Sequence, residues 1–428
     1  MLNDPLLSDL IARAVAGNLD VAGAEARVRA ARAQRKIAVG AFFPQIDASG
    51  NGQRSSGSNR GSGIVTTNDG AIAIGSRKGS TALYSLGLDA SWELDVFGGL
   101  RRGLEAADAD LEASSADLRD TLVTLVGELA LSYVDVRSAQ ERLRIAEANL
   151  VSQSETFDLT TWRAQAGLST DLDVEQARTI LAQTRAAVPV VKTDLNNAEN
   201  RIAVLLGERP GEVSALLDAP KPIPVTPREV AVGVPATTLA QRPDVRRAEM
   251  QLWAQTARVG VATAEAYPKL SALGSIGLEA LTVGGLFSSL AKAGTWTAAG
   301  AIAQPVFHGG EIQGEIERQE ALRLGAIATY ESTVLAALEE VENALVAYAQ
   351  EQDRRAELAE GAAAAERALV LAQDQYGSGL IDFQAVLDAQ RSLLVLQDSL
   401  ATSEGQVTSN LIRLYKALGG GWPVGAES

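Results

Sequence analysis

YSLGLDASWELDVFGGLRRG, residues Tyr84–Gly103, is the stretch whose reading decides the fold. Its even positions Tyr84, Leu86, Leu88, Ala90, Trp92 and Leu94 are apolar or aromatic, and Ser85, Asp89, Ser91 and Glu93 lie between them. A period of two describes a strand with one apolar and one polar face. After Phe97-Gly98-Gly99 the period changes. Leu104, Leu111, Leu118 and Leu125 recur every seven residues inside a proline-free segment from Arg101 to Gln165. That segment is a helix with a packing seam, and at about 1.5 Å per residue it runs for roughly 100 Å.

The same alternation recurs elsewhere. Ile46, Ala48 and Gly50 alternate with Gln45, Asp47, Ser49 and Asn51, and Leu270–Leu278 and Thr295–Gln304 add two segments richer in Ala and Gly. Strands of about ten residues with one polar face match outer-membrane barrel strands in length and pattern. Tyr84, Trp92 and Trp296 suit a lipid–water boundary. A soluble half-buried sheet alternates in the same way, so alternation leaves both readings open. Four strands cannot close a barrel, and open edges are not tolerated in lipid. Either the sheet is soluble, or several chains pool their strands; three copies give twelve, an even number in the known range.

The chain is written twice. Asn18-Leu19-Asp20-Val21 recurs as Arg242-Pro243-Asp244-Val245, and Phe43-Pro44-Gln45-Ile46 as Tyr267-Pro268-Lys269-Leu270, both at an offset of 224. Val96-Phe97 recurs as Val306-Phe307 at 210, and Gly167-Leu168 and Leu206-Gly207 recur as Gly379-Leu380 and Leu418-Gly419 at 212. Self-similarity on this scale means a duplicated unit. The offset drops between Pro44 and Phe97, so the first half carries about a dozen extra residues there, in the Gly/Ser/Asn-rich interval Gly50–Ser80, which has loop composition.

Each half reads as helix, hairpin, very long helix, tight turn and return helix. The first repeat occupies 1–207, with its hairpin at about 45–95, long helix at about 101–165 and return helix at about 172–206. The second occupies 235–418, with corresponding elements at about 269–304, 311–375 and 383–418. Leu393, Leu400, Val407 and Leu414 keep a seven-residue spacing in the last helix. Seven of the 13 prolines fall between Pro210 and Pro243. Residues 208–234 are therefore expected to be an irregular linker on the outside, and 419–428 a C-terminal tail.

Bulk composition narrows the function. Apolar residues are 46% and charged residues 21% of the 428, so the chain is ordered, while 4% aromatics with abundant Ala, Leu, Glu, Gln and Arg fit extended helices. A net charge of −15 without a basic cluster argues against nucleic acid as a partner. With no Cys and one His (His308, between strand and helix), disulfides and Cys/His metal sites are excluded, and no cofactor is expected. No phosphate loop or nucleophile elbow is present, so an enzyme is not expected. No apolar run of 18 residues marks a transmembrane helix, and Met1–Asp20 reads as an amphipathic helix start rather than a signal peptide.

In order along the chain stand SWELDVFGGLRRG (Ser91–Gly103), AGLSTDLDVEQAR (Ala166–Arg178), LAQRPDVRRAE (Leu239–Glu249), AYPKLSALGSIGL (Ala266–Leu278), PVFHGGEI (Pro305–Ile312), VLDAQRSLL (Val386–Leu394) and LYKALGGGW (Leu414–Trp422). With these motifs nearly the whole chain resembles the TolC-like outer-membrane factor family, in its NodT-type efflux lipoprotein branch. The resemblance implies a mixed α/β membrane protein. Three copies would form a 12-stranded transmembrane β-barrel, four strands per chain, continued by a 12-helix periplasmic α-helical barrel. It implies an outer-membrane exit duct passing small molecules, drugs or metals outward. Its implied partners are a periplasmic membrane-fusion adaptor, an inner-membrane transporter of the RND class and outer-membrane lipids. Alternative readings are a soluble structural helical bundle and the exit duct of a type I protein secretion system. Members of this branch start with a signal peptide and a lipid-bearing Cys; here Met1 stands at that point, which reads as a truncated form or a misassigned start.

The resemblance also places a constriction on the helices after the two tight turns. Asp388 and Arg391 lie three apart, on one helical face. As a ring of copies they would favour cations and close the duct; taken singly they are an ordinary solvated ion pair. Gln384 stands one turn earlier, where relatives carry a bulkier or acidic group, and Asp173 in the first half is a candidate to supply acidity there. The turns Gly167-Leu168-Ser169-Thr170 and Gly379-Leu380 suit helix caps, and their leucines an adaptor contact.

Overall fold

The computed structural model describes residues 4–57, 63–66, 72–75, 79–224, 241–288 and 293–420. Two compact units divide the chain: Met1–Arg29, Glu112–Glu249 and Ala328–Ser428 form one, and Ala30–Leu111 with Met250–Ile327 the other.

The N-terminal helical stretch is two helices, α1 (Pro5–Gly17) and α2 (Leu19–Gly40). Asp4 caps α1 by accepting from the Leu6 and Leu7 amides, with Pro5 in the first turn, where its missing N–H is harmless. Asn18 makes the break. Its Oδ1 accepts from the Asp20 and Val21 amides, and its Nδ2 donates to the Leu205 carbonyl at 2.9 Å.

The sheet unit contains β1 (Gln45–Gly57), β2 (Gly63–Thr66), β3 (Ile72–Gly75), β4 (Gly79–Leu94), β5 (Lys269–Ala280) and β6 (Gly294–Ala303). Four strands run in the order β1-β4-β5-β6, every pair antiparallel. The register keeps even numbers opposite even numbers: Ala48 faces Leu88, Leu88 faces Ile276, and Ile276 faces Trp296. One face is accordingly apolar across all four strands for most of its length, and the other carries Asp47, Ser49, Asp89, Glu93, Ser275 and Thr297. On that polar face Ser49 donates to Asp89 at 2.6 Å, and the Ser275 and Thr297 hydroxyls are bonded. The apolar face is left open: Leu86, Leu88, Ile276, Trp296 and Ile302 are all exposed, and β6 is exposed along its whole length.

The interval Gly50–Ser80 corrects the loop expectation. β1 continues through it to Gly57, and β2 pairs with β3 in a separate two-stranded sheet. Strand partners satisfy the backbone there, so side chains of low strand preference are tolerated.

After β4, Asp95 accepts from the Leu100 and Arg101 amides and seats helix α3 (Gly99–Gln165), 67 residues long. Helix α4 (Asp171–Leu205) follows the turn, and it continues through Pro189, which supplies no N–H to the preceding turn. A one-turn helix α5 (Ser214–Leu217) lies in the linker. The second half brings α6 (Pro243–Ala264), a one-turn α7 (Val283–Leu286) between β5 and β6, the 67-residue α8 (Glu311–Gly377) and α9 (Phe383–Ala417).

In the helical unit the core gathers Leu7, Leu10 and Ala14 of α1, Leu125, Leu129 and Tyr133 of α3, and Ile202 and Leu205 of α4. Val213 and Leu217 are fully buried in it, so this part of the linker is core and not an external loop. Arg137 is also fully buried. It donates to the Tyr133 hydroxyl at 3.1 Å and the Ala219 carbonyl at 2.9 Å, and lies 4.8 Å from the Tyr133 ring centroid. Tyr133 in turn donates to Asp4. These partners offset the cost of burying a guanidinium and hold the linker to α3. Linker residues 225–234 and the tail from 421 lie outside the described residues.

The duplication survives in atomic detail. Arg242 stands where the first half has Asn18, and it donates to the Ala417 carbonyl at 2.5 Å, the carbonyl equivalent to that of Leu205.

Candidate functional site

Both long helices end in the same cap. The Leu168 amide donates to the Arg163 carbonyl at 2.8 Å and the Gly167 amide to Ala164 at 2.9 Å. In the second half Leu380 donates to Gln375 at 2.9 Å and Gly379 to Tyr376 at 3.0 Å. Gly167 and Gly379 have φ of 71° and 74°, the left-handed conformation that glycine adopts without strain. The cap turns each following leucine outward: Leu168 is 69% and Leu380 75% exposed.

Asp173 is engaged locally. Its Oδ2 accepts from the Thr170 amide at 3.0 Å, the Thr170 hydroxyl at 2.9 Å and the Ser169 hydroxyl at 2.8 Å, while Thr170 accepts from the Asp173 amide. This is a capping box that starts α4. Partial burial acts to raise the Asp173 pKa, but these hydrogen bonds outweigh it and hold the carboxyl below the usual Asp range. Ser169 and Thr170 thus belong to the same cap.

On α9, Val386 and Leu387 are buried against Ile180 and Leu369, with Phe383 stacked obliquely on Tyr376 at 5.3 Å. That anchoring turns the opposite face outward. There Gln384 Nε2 donates to Asp388 Oδ1 at 2.9 Å, and Arg391 Nη1 donates to the same oxygen at 3.3 Å. The half-buried Gln384 and the exposed Asp388 and Arg391 thus form one stripe with the carboxylate at its centre. Among the described residues, no hydrogen bond or ion pair joins Asp173 to it.

A polar seam that the sequence expectations do not include lies beside this stripe. Gln390 donates to the Thr156 hydroxyl at 2.9 Å, Asn149 to Gln397 at 3.0 Å and Arg142 to Asp398 at 2.8 Å, joining α3 to α9. Arg163 lies 4.5 Å from the Tyr376 ring centroid, against α8. The α3 positions 142, 149 and 156 are seven apart, the periodic signal by which such a seam is recognisable.

In the sheet unit, Tyr84, Trp92 and Trp296 all fall on the apolar face. Trp92 lies two residues from the end of β4 and donates its indole N–H to the Phe42 carbonyl at 2.9 Å. Trp296 faces Ile276, two residues from the start of β6. A further aromatic group surrounds the strand ends. Phe97 stacks on Tyr267 with centroids 5.1 Å apart and planes 13° apart, and Phe43 and Phe307 are exposed at equivalent places in the repeat.

Among the described residues, no helix is long and apolar enough to cross a membrane, and no cluster of metal-ligating side chains occurs.

The family described as outer membrane efflux protein matches residues 10–208 and 234–420. The solvent efflux pump outer membrane protein SrpC of Pseudomonas putida is 32% identical over 427 residues, covering 98% of this chain and 86% of the relative. Nodulation protein T of Rhizobium leguminosarum bv. trifolii is 31% identical over 421 residues, at 98% and 86% coverage. Among solved structures, the outer-membrane channel OprN superposes with a TM-score of 0.91 at 36% identity, covering 98% of this chain and 91% of that one.

Proposed function

The chain belongs to the outer membrane efflux protein family, and we propose from that premise how its parts divide the work of a duct. It is an outer-membrane channel, the exit duct of a tripartite efflux pump, seated in the bacterial outer membrane with a periplasmic portion. Its architecture is that of the TolC-like trimeric channels, and it works with an adaptor and an inner-membrane pump. The family is one of transport ducts, not of enzymes.

The observation that carries the reading is the open sheet. Its apolar face is exposed over four strands while the polar side chains gather on the other face. A soluble sheet would bury that apolar face; a lipid-facing one leaves it bare. This weighs against the soluble-bundle alternative.

Within the duct, the stripe of Gln384, Asp388 and Arg391 is the constriction. Three copies of Asp388 would set an acidic ring that favours cations, with Arg391 holding each carboxylate in place. The exposed Leu168 and Leu380, on turns rigidified by Gly167, Gly379 and the Ser169–Thr170 cap, are the adaptor contact. The inner-membrane partner is a pump of the RND class, and that pump selects the cargo.

The reading is tested by extracting the full chain in detergent and adding it to planar lipid bilayers. Discrete, cation-selective conductance steps are expected; a protein that leaves bilayers silent at every concentration would overturn it.

A further inference from the structure

We infer that Gln153 of α3 and Thr184 of α4 hold an internal water between them, and that this wet point is where the helix pair bends. The role of the bend in opening rests on the reading of the chain as a duct; the water site does not.

Gln153 is 4% and Thr184 1% exposed. Neither end of the Gln153 amide nor the Thr184 hydroxyl has a hydrogen-bond partner in the protein. The register of the helix pair brings them together. Arg178 lies 5.7 Å from the Phe157 ring centroid, Lys192 Nζ 3.8 Å from Glu147 Oε1, and Arg142 Nη1 3.8 Å from Asp194 Oδ2. Carried along two antiparallel helices, those contacts set Gln153 opposite Thr184.

The Thr184 hydroxyl also departs from its neighbours. Thr156, Thr160 and Thr161 of α3 and Thr179 and Thr193 of α4 all donate to the carbonyl four residues back. Thr184 does not, so its buried hydroxyl is left for the interface with α3. The nearby amides are already committed. Gln390 donates to Thr156, one turn from Gln153, and Asn149 donates to Gln397, one turn the other way. A buried amide and hydroxyl without partners are costly, and one water that donates and accepts serves both.

The same stretch is weak on its outer face. Pro189 lacks the N–H that would donate to the Arg185 carbonyl, and both residues are exposed. On either side of it the buried face of α4 is apolar, with Ala177 and Ile180 before and Val191 after. Between Thr184 and Pro189, α4 therefore lacks a backbone hydrogen bond outside and apolar packing inside. Helices bend at prolines and at inserted waters, and here the two coincide.

Melting of the full chain in detergent tests the shared water. Gln153→Leu and Thr184→Val each remove one partner and strand the other, so each is expected to melt about 1–3 °C below the wild type. Gln153→Leu/Thr184→Val removes both and is expected to melt at or above the wild type. Additive losses in the double variant would overturn the shared site. A high-resolution structure of the wild type should show a solvent oxygen within hydrogen-bond distance of both side chains; none there would overturn it too. In planar bilayers the double variant, dried at the bend, is expected to open less often than the wild type, which a merely structural pair would not cause. Equal opening overturns the bend and leaves the water standing. A wild type silent in bilayers overturns the duct reading and the bend's role with it, while the melting cycle still decides the water.

Discussion

Gln390 donates from Nε2 to the Thr156 hydroxyl at 2.9 Å, bridging α9 and α3 across 234 positions of sequence. Gln390 is buried, so its amide has no water to fall back on. Removing one partner of a buried hydrogen bond costs about 1–3 kcal/mol. Gln390→Ala should therefore lower the melting midpoint of the detergent-solubilised protein, read by circular dichroism, and raise the basal conductance as the seam loosens. An unchanged midpoint would show that the bridge contributes nothing.

Asp388 accepts from both Gln384 and Arg391, so its removal takes the centre out of the stripe. Asp388→Ala should raise single-channel conductance and lower cation over anion selectivity in reconstituted trimers. The surface ion pair itself stabilises by about 1 kcal/mol at most, so folding should be unaffected. Identical conductance and selectivity would remove the constriction from this face.

The exposed Leu168 and Leu380 do not contribute to the core clusters behind them. Leu168→Ser and Leu380→Ser should leave bilayer conductance unchanged while reducing efflux-dependent resistance in cells and capture of the adaptor. Loss of conductance in the purified variants would instead place these leucines in the pore.

Acid should loosen the caps. Asp173 and Asp4 are both held below the ordinary Asp value of 3.8; in each, burial pulls upward and hydrogen bonds pull down further. A depressed folded-state pKa means that the stabilisation is complete above 3.8 and is lost as pH falls through the folded value. Melting midpoints should thus be flat down to about pH 5 and fall below the carboxylate range. Asp173→Ala should cost about 1 kcal/mol at neutral pH, as loss of a helix cap does, and flatten the acid limb. An acid limb as steep as that of the wild type would contradict the assignment.

Much of this was legible before any coordinates. The paired offsets of 224 and 212 carried the element order, because a duplicated unit repeats its turns and caps along with its helices. The alternation from Tyr84 to Leu94 carried the two faces of the sheet, since side chains along a strand point to opposite sides. Other features depend on partners far away in sequence. The strand nature of Gly50–Gly57 comes from its ladder with β4, and Val213 and Leu217 are core only because α1 and α3 enclose them. Asp173 is a different case: Thr170-x-x-Asp173 is a local capping spacing, which fixes the carboxylate, still charged, at the start of α4. The stack of Phe97 on Tyr267 joins the two halves, and no periodicity within either half reports it.

The central claim is that copies share one barrel wall, and native mass spectrometry of the full chain released from detergent micelles tests it most directly. Three times the 44.8 kDa chain, about 134 kDa, is the predicted species, with no monomer surviving in detergent-free buffer. A 44.8 kDa particle that stays dissolved without amphiphile would contradict it.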